Sequence, residues 1–333
     1  MRWSLALVSA AIVAASAQYS RPAVGTRAHA SPPPAMAAMA AMPAMPATPV
    51  FADSTFVVML GTGTPNADPD RSGPAVAIVR GGNSYLVDAG AGIVRRAAAA
   101  AQRHGIDALQ MPRLKIVFLT HLHSDHTVGM PDLILMPWVL ERTAPLEVYG
   151  PPGTKAMVDH LLAAYDADIH NRLDGLQPSN PTGYKVNVHE VSNGFVYRDS
   201  VMTVRAFEVP HANWEHAFGY RFESADRTIV VSGDTHASDS VVKACHGCDV
   251  LVHEVYSAER YKTLSAAWKA YHKQSHTSTT ELAAIAGRAQ PKLLVLYHQI
   301  WWGPADDDML VQEIHAAGYA GKVVSAHDLG IYR

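Results

Sequence analysis

The stretch FLTHLHSDHTVGMPD, residues 118–132, places three histidines and one aspartate within six positions. An apolar run, LKIVFL, leads into it and predicts a strand, and the small residues that follow predict a turn. In extended backbone His121 and His123 project to the same side, and Asp125 and His126 follow once the chain turns. A lone histidine is usually a surface or capping group, but four ligand-type residues at this spacing favour a metal site.

Three other predicted strand ends carry residues of the same kind, within VPHANWEH, VSGDT and LYHQ. If these strand ends meet at one edge, seven candidate metal ligands converge there: His121, His123, Asp125, His126, His211, Asp234 and His298. A carboxylate such as Asp234 can bridge two cations. Imidazole combined with carboxylate suits two Zn²⁺ ions, although iron or manganese also accepts this set of ligands.

Short β-branched runs alternate with helical stretches from Asp53 onward. Strands are predicted at 55–61, 75–81, 83–90, 114–121, 145–150, 184–191, 201–211, 217–224, 227–234, 249–255, 292–298 and 322–328. Helices are predicted at 93–105, 154–167, 238–244, 257–272, 278–290 and 305–318, and Ser278 with Glu281 predicts a capping box. Hairpins mixed with strand–helix alternation indicate a four-layer α/β fold, in which two mixed sheets pack together with helices outside.

The first 52 residues have a different composition. Residues 1–17 predict a secretory signal peptide, because one Arg, an apolar stretch and an Ala-Ser-Ala cleavage site follow one another. A short membrane anchor or a buried helix is the alternative. Residues 18–52, rich in Ala, Pro and Met, predict a disordered tether before a folded domain at 53–333. No later stretch predicts a membrane span, so a periplasmic or secreted protein is expected.

Cysteine content and net charge bear on the redox compartment and on the class of partner. Cys245 and Cys248 could close a small disulfide in an oxidising compartment, and a thioredoxin-type redox motif is the alternative. Lys and Arg total 27 against 30 Asp and Glu, so no strong positive field exists to gather a polyanion. We therefore expect a small-molecule partner and no nucleic acid.

Together with LGTGTPNADPDRSGPA, YLVDAG, VYGPPGT, VVSGDT, LVHEVY and the closing HDL, the THLHSDH string resembles the metallo-β-lactamase superfamily. Within it, the chain is most similar to the RNase Z and arylsulfatase-like hydrolases. The resemblance covers the chain from Phe56 to Tyr332. It implies an αββα sandwich with two metals at one edge of the two sheets, and a metallo-β-lactamase-like hydrolase domain at 53–333.

The resemblance also implies a role for each site residue. His121, His123 and His211 would hold one zinc, and Asp125, His126 and His298 the other. Asp234 would lie between the two ions. His216 is the alternative to His211, because both lie in PHANWEHAFGYRF. Asp125 would also orient the nucleophilic water, and His276 with Glu254 would give a proton to the leaving group. A structural hydrogen bond is the alternative role for Glu254.

Departures from the family pattern narrow the expected function. Zinc-cysteine β-lactamases place a thiolate where this chain has Asp234, which disfavours lactam hydrolysis. RNase Z proteins carry a long tRNA-gripping arm between the FGYR and SGD strands, whereas only FESADRTIV intervenes here. Trp214, Trp301 and Trp302 could form an aromatic wall for an aryl leaving group, with core packing as the alternative.

The resulting prediction is an exported, dinuclear zinc-dependent hydrolase of small esters, in which a metal-bridging hydroxide attacks an aryl sulfate. A phosphodiesterase, acting on a cyclic nucleotide or another small phosphodiester, is the next alternative. An RNase Z-like 3′-tRNA-processing endoribonuclease and a carboxylic ester or lactone hydrolase also stay open. The alternative outside enzymology is a metal-free binding protein of the same fold.

Overall fold

Residues 54–333, which the computed structural model describes, form two seven-stranded sheets covered by helices. The predicted signal peptide at 1–17 and the tether at 18–52 lie outside the described residues. The strands are β1 (Thr55–Gly61), β2 (Ala75–Arg80), β3 (Asn83–Val87), β4 (Ile116–Phe118), β5 (Leu146–Gly150), β6 (Val186–Glu190), β7 (Val196–Arg198), β8 (Thr203–Glu208), β9 (Phe218–Glu223), β10 (Thr228–Val231), β11 (Val250–Tyr256), β12 (Leu293–Ile300), β13 (Val323–Ser325) and β14 (Ile331–Tyr332).

The helices lie between these strands. They are α1 (Ile93–His104), α2 (Ser124–Thr127), α3 (Met130–Val139), α4 (Thr154–Ala164), α5 (Asp166–Asp174), α6 (Asp239–Cys245), α7 (Ala258–Tyr261), α8 (Ala266–Ser275), α9 (Thr279–Ala289) and α10 (Asp307–Ala316). The predicted capping box is present at α9, where Ser278 and Glu281 each bond the other's backbone N–H.

Both sheets are mixed. The first has the order β14-β1-β2-β3-β4-β5-β6, parallel from β3 to β6 and antiparallel elsewhere. The second has the order β13-β12-β11-β10-β9-β8-β7, parallel from β10 to β13 and antiparallel elsewhere. The hairpin between β9 and β10 is short, because Glu223 pairs directly with Thr228.

Three apolar layers hold the sandwich together. In β1, Val57 and Met59 belong to the layer between the sheets, while Val58 and Leu60 belong to the layer beneath helices α1 and α3. The third layer lies between the second sheet and helices α6, α9 and α10. Alternate residues of a strand face opposite sides, so strands buried on both faces need continuous apolar runs. The predicted four-layer αββα sandwich is confirmed.

Several predicted elements differ in extent. The predicted strand at 114–121 is paired only over Ile116–Phe118, because the next residues leave the sheet toward the candidate site. The helix predicted at 257–272 is two helices, since the Ser265 side chain caps the start of α8. Helix α3 was not predicted because MPDLILMPWV is apolar on all sides and shows no helical period. The edge strands β7 and β14 were too short to be recognised.

Two further features bear on the sequence predictions. Cys245 and Cys248, which the sequence left open between a disulfide and a redox motif, are joined by a disulfide where α6 ends. None of the helices within residues 54–333 combines the length and apolar character needed to cross a membrane.

Candidate metal centre

Chain segments from both sheets deliver the predicted ligands to one edge of the sandwich. His121 to His126 follow β4, Asp234 follows β10, and His211 lies in the connection between β8 and β9. His298 is the extra residue of a β-bulge, because Glu254 pairs with Tyr297 while Val255 pairs with Gln299. Bulges re-aim side chains, and the φ of 44° at His298 marks this local turn.

One group of donor atoms is made of three imidazoles. Nδ1 of His123 lies 2.9 Å from Nε2 of His121 and 3.2 Å from Nε2 of His211. His121 and His211 are fully buried. His216, the alternative to His211, keeps 40% of its side chain exposed and lies beside Glu215. The structure therefore places His211, and not His216, in this group.

The second group adds a carboxylate. Oδ2 of Asp125 lies 3.5 Å from Nε2 of His126 and 3.3 Å from Nε2 of His298. Oδ2 of Asp234 lies between the two groups: 3.4 Å from Nε2 of His126, 3.4 Å from Nε2 of His298 and 3.9 Å from Nε2 of His121. All seven predicted ligands are thus brought together, and their binding of metal remains a prediction.

These distances fit divalent cations. A zinc–nitrogen bond of about 2.0–2.1 Å puts two ligands of a tetrahedral ion roughly 3.3–3.4 Å apart. Within residues 54–333, the buried atoms Nε2 of His126 and Oδ1 of Asp234 have no hydrogen-bond partner. Buried polar atoms without partners are costly, and nitrogen and oxygen donors arranged in this way are suited to hold cations in the space between them.

Hydrogen bonds from outside the two groups orient the imidazoles. Asp88 accepts from Nδ1 of His126 at 2.8 Å and from the backbone N–H of Thr120 at 2.8 Å. The carbonyl of Ser275 accepts from Nδ1 of His211 at 2.7 Å. Such contacts fix the tautomer, leaving the opposite ring nitrogen free for a metal. Asp88 lies in YLVDAG, and only its place at a strand end could have identified it beforehand.

Trp214 contacts the histidines directly. Its Nε1–H donates to Nε2 of His123 at 2.7 Å, which leaves the proton of a neutral His123 ring on Nδ1. A cation held at Nδ1 would instead require the proton on Nε2. Trp214 therefore has to give up this hydrogen bond when His123 binds a metal, and its predicted position in an aryl-binding wall is replaced by a position against the imidazoles.

The electrostatics of the site favour positive charge between the donor groups. Burial disfavours the charged form of Asp234, but the charges of His298 and His126 outweigh it and hold the pKa of this carboxyl well below its usual range. Burial likewise opposes protonation of His126, yet Asp234 and Asp88 raise its pKa well above the ordinary value. The carboxylates thus attract positive charge, which either protons or cations can supply.

Glu254 and His276 form a buried pair beside Asp234. Nδ1 of His276 lies 3.5 Å from Oε2 of Glu254 and 3.9 Å from Oδ2 of Asp234. Burial and the charge of Asp234 raise the pKa of Glu254, whereas burial lowers the pKa of His276 to about 4. Glu254 also accepts backbone N–H groups of Thr235 and Thr277, so the predicted alternative of a structural hydrogen bond is also present.

A cleft of about 660 Å³ opens onto the site. Its lining includes Asp125, Asp234 and His276 together with the aromatic residues Trp268, Tyr271 and Trp302. Trp302 lies where an aromatic wall was predicted. Trp301 does not line the cleft: it is 7% exposed, packs in the layer under α10 and stacks on Arg71, so the core-packing alternative holds for it. Trp268 and Tyr271 were missed, because their helix was not linked to the site.

Comparisons with known proteins agree with the fold. Residues 83–299 match the family described as Beta-lactamase superfamily domain. The chain is 33% identical over 277 residues to Ribonuclease Z of Mycobacterium bovis (strain BCG / Pasteur 1173P2), covering 82% of this chain and 96% of that protein. Human tRNase Z, short form, aligns with a TM-score of 0.61 at 24% identity, over 84% of this chain and 98% of the other. The metallo-β-lactamase fold protein YhfI of Bacillus subtilis aligns with a TM-score of 0.63 at 18% identity, over 84% of this chain and all of the other.

Replacing Asp88 with asparagine should weaken metal binding while preserving the fold. A neutral amide at this position cannot hold Nδ1 of His126 as a carboxylate does, so metal affinity should fall about 10- to 100-fold. Competition with a chromogenic chelator measures this loss. Asp159→Asn, on the exposed face of α4, is the matched control and should bind metal like the wild type. Equal affinities for Asp88→Asn and the wild type would contradict the assigned role.

Metal affinity should rise with pH. Burial opposes protonation of His126 and His298, but Asp234 raises both pKa values, so a cation must displace protons from these rings. Competition between protons and the cation is strongest below the raised pKa values and disappears above them. As pH decreases, metal affinity should therefore fall by up to about tenfold per pH unit for each proton displaced. Chelator competition at several pH values measures this slope. A flat profile would show that these rings are not ligands.

Proposed function

The chain belongs to the β-lactamase superfamily and is a metal-dependent hydrolase, and we propose that it hydrolyses a phosphodiester whose leaving group carries a planar ring. The observation that supports this most is the position of Asp234, whose Oδ2 lies 3.4–3.9 Å from imidazole nitrogens of both donor groups. Two adjacent cation sites that share a carboxylate suit in-line displacement at phosphorus, because both the attacking and the leaving oxygen need neutralising.

Zinc is the proposed metal, held by His121, His123 and His211 in one position and by Asp125, His126 and His298 in the other, with Asp234 between them. When bound, such cations lower the pKa of water and neutralise the charge that grows on the phosphoryl oxygens. The protein orients the attacking water. Asp125 faces the cleft, where its carboxylate can accept a proton from the attacking water and align it.

The proton for the leaving group comes from the Glu254–His276 pair. Burial and the charge of Asp234 raise the pKa of Glu254 and so favour its protonated form, whereas burial lowers the pKa of His276 to about 4 and favours its neutral form. The imidazole can therefore donate from Nε2 to the leaving oxygen while Nδ1 takes the proton of Glu254, which balances the transfer. The ring of His276 lies 5.5 Å from that of His272, which packs against Trp268 and Trp302, so a leaving group beside His276 lies near these two tryptophans.

The choice between ester classes is supported more by the names of the relatives than by the geometry. A curated relative that matches this chain over 96% of its own length is named Ribonuclease Z, which favours a phosphodiester over the aryl sulfate expected from the sequence. RNase Z-like cleavage of tRNA precursors is the second candidate on the same ground, against the expectation of no nucleic acid. The direct pairing of Glu223 with Thr228 leaves no room for the arm that the family resemblance implies there, so a small substrate is preferred.

A substrate panel with a site variant tests the proposed function. The zinc-loaded protein should hydrolyse bis(p-nitrophenyl) phosphate faster than p-nitrophenyl sulfate, p-nitrophenyl acetate, p-nitrophenyl phosphate or a tRNA precursor. Asp234→Asn should lower that rate at least about 100-fold, whereas Asp174→Asn, on the exposed end of α5, should not change it. Faster hydrolysis of the sulfate or of the tRNA precursor would replace the proposal with the corresponding alternative.

Export is part of the same proposal. It is supported by the signal-peptide pattern of residues 1–17 and by the Cys245–Cys248 disulfide. When the gene is expressed in a bacterium with a periplasm, the mature protein should begin at Gln18 and be found outside the cytoplasm. Amino-terminal sequencing of the fractionated protein measures this. An intact amino terminus on cytoplasmic protein would contradict export.

A further inference from the structure

His272 is a buried imidazole that the chemistry described so far does not use. It lies on α8, one helical turn before His276, and lines the same cleft. Only 7% of its surface is exposed, and its Nδ1 has no hydrogen-bond partner within the part of the chain that the structure describes. A buried polar atom without a partner lowers stability unless something else satisfies it.

The surroundings of His272 are aromatic. Its ring stacks on that of Trp268, with 5.6 Å between the ring centroids, and it contacts the ring of Trp302 edge-on, with 4.7 Å between the centroids. The ring of His276, the residue that follows α8, is 5.5 Å away. Burial and the neighbouring His276 lower the pKa of His272 to about 4, so the ring is neutral near pH 7 and offers one donor and one acceptor. This wall of the cleft therefore combines ring-stacking surface with one unsatisfied hydrogen-bonding group.

We infer that His272 binds the polar edge of a planar ring in the leaving group, and that Trp268 and Trp302 hold the faces of that ring. The inference rests on the proposed function, because that proposal places the leaving group beside His276. Aromatic side chains favour flat partners, and a site built for a hydrogen bond discriminates against a ring that lacks the matching group. The substrates would then have a heterocyclic or hydroxyl-bearing ring, such as a nucleobase or a substituted phenol.

Paired substrates test this role of His272. Two methyl aryl phosphodiesters are compared, one with a pyridin-3-yl and one with a chlorophenyl leaving group, which have similar size and acidity. The wild type should show a KM at least about tenfold lower for the pyridyl ester. His272→Phe should abolish that difference in KM between the two esters, and His272→Asn should retain part of it. His160→Phe, on the exposed face of α4, is the matched control.

A binding measurement separates this inference from the proposed function. Titration of the zinc-loaded protein with 3-hydroxypyridine and with 4-chlorophenol, followed by tryptophan fluorescence, reports ring binding without any hydrolysis. The wild type should prefer 3-hydroxypyridine, and His272→Phe should lose the preference, even if no phosphodiester is cleaved. Equal binding of the two aromatic hydroxyl compounds by the wild type would overturn the role of His272 whatever the reaction proves to be. An equal loss of affinity for both compounds in His272→Phe would overturn it as well.

Discussion

The central feature of this molecule is a buried carboxylate that is surrounded by imidazoles. Asp234 is 2% exposed, yet its Oδ2 lies within 3.9 Å of nitrogens from His121, His126 and His298. Removing a charge from water costs several kcal/mol unless an opposite charge replaces the lost solvation. Divalent cations meet that requirement better than protons, because they bind several donors at once. The two three-residue groups on either side of Asp234 are the donors that we propose hold these cations.

The fold supplies the rigidity that such a site needs. Asp234 comes after β10, which is buried between β9 and β11, and the preceding Gly233 has a φ of 64° in a place where a Cβ would meet the carbonyl of Phe218. Asp88 connects β3 to the loop after β4 through Thr120 and His126. Because the ligands come from both sheets, packing between the sheets sets the distances between the donor groups.

Local patterns in the sequence were enough to predict most of the side chains that converge at this edge. Four of the seven proposed ligands lie within one loop, and the strand ends carrying Asp234 and His298 follow continuous apolar runs that are recognisable without a structure. The choice of His211 over His216 rested on motif spacing alone, since both precede the FGYR strand. The connection between β8 and β9 buries the first and leaves the second at the surface. That difference depends on tertiary packing.

The walls of the cleft were harder to predict. Trp301 and Trp302 are adjacent, but the φ of 48° at Trp302 turns the backbone, so one side chain enters the core and the other faces the cleft. Helix α8 lies near the two donor groups because the residue that follows it, His276, lies beside Asp234 and Glu254. The contacts of His272, Trp268 and Tyr271 follow from this long-range packing, which the helical pattern of α8 alone does not reveal.

Anomalous X-ray diffraction from crystals grown with zinc measures the central claim directly. The account predicts two anomalous peaks on either side of Oδ2 of Asp234, one among His121, His123 and His211 and one among Asp125, His126 and His298. A single peak, or peaks remote from Asp234, would contradict the shared two-cation centre from which the proposed chemistry follows.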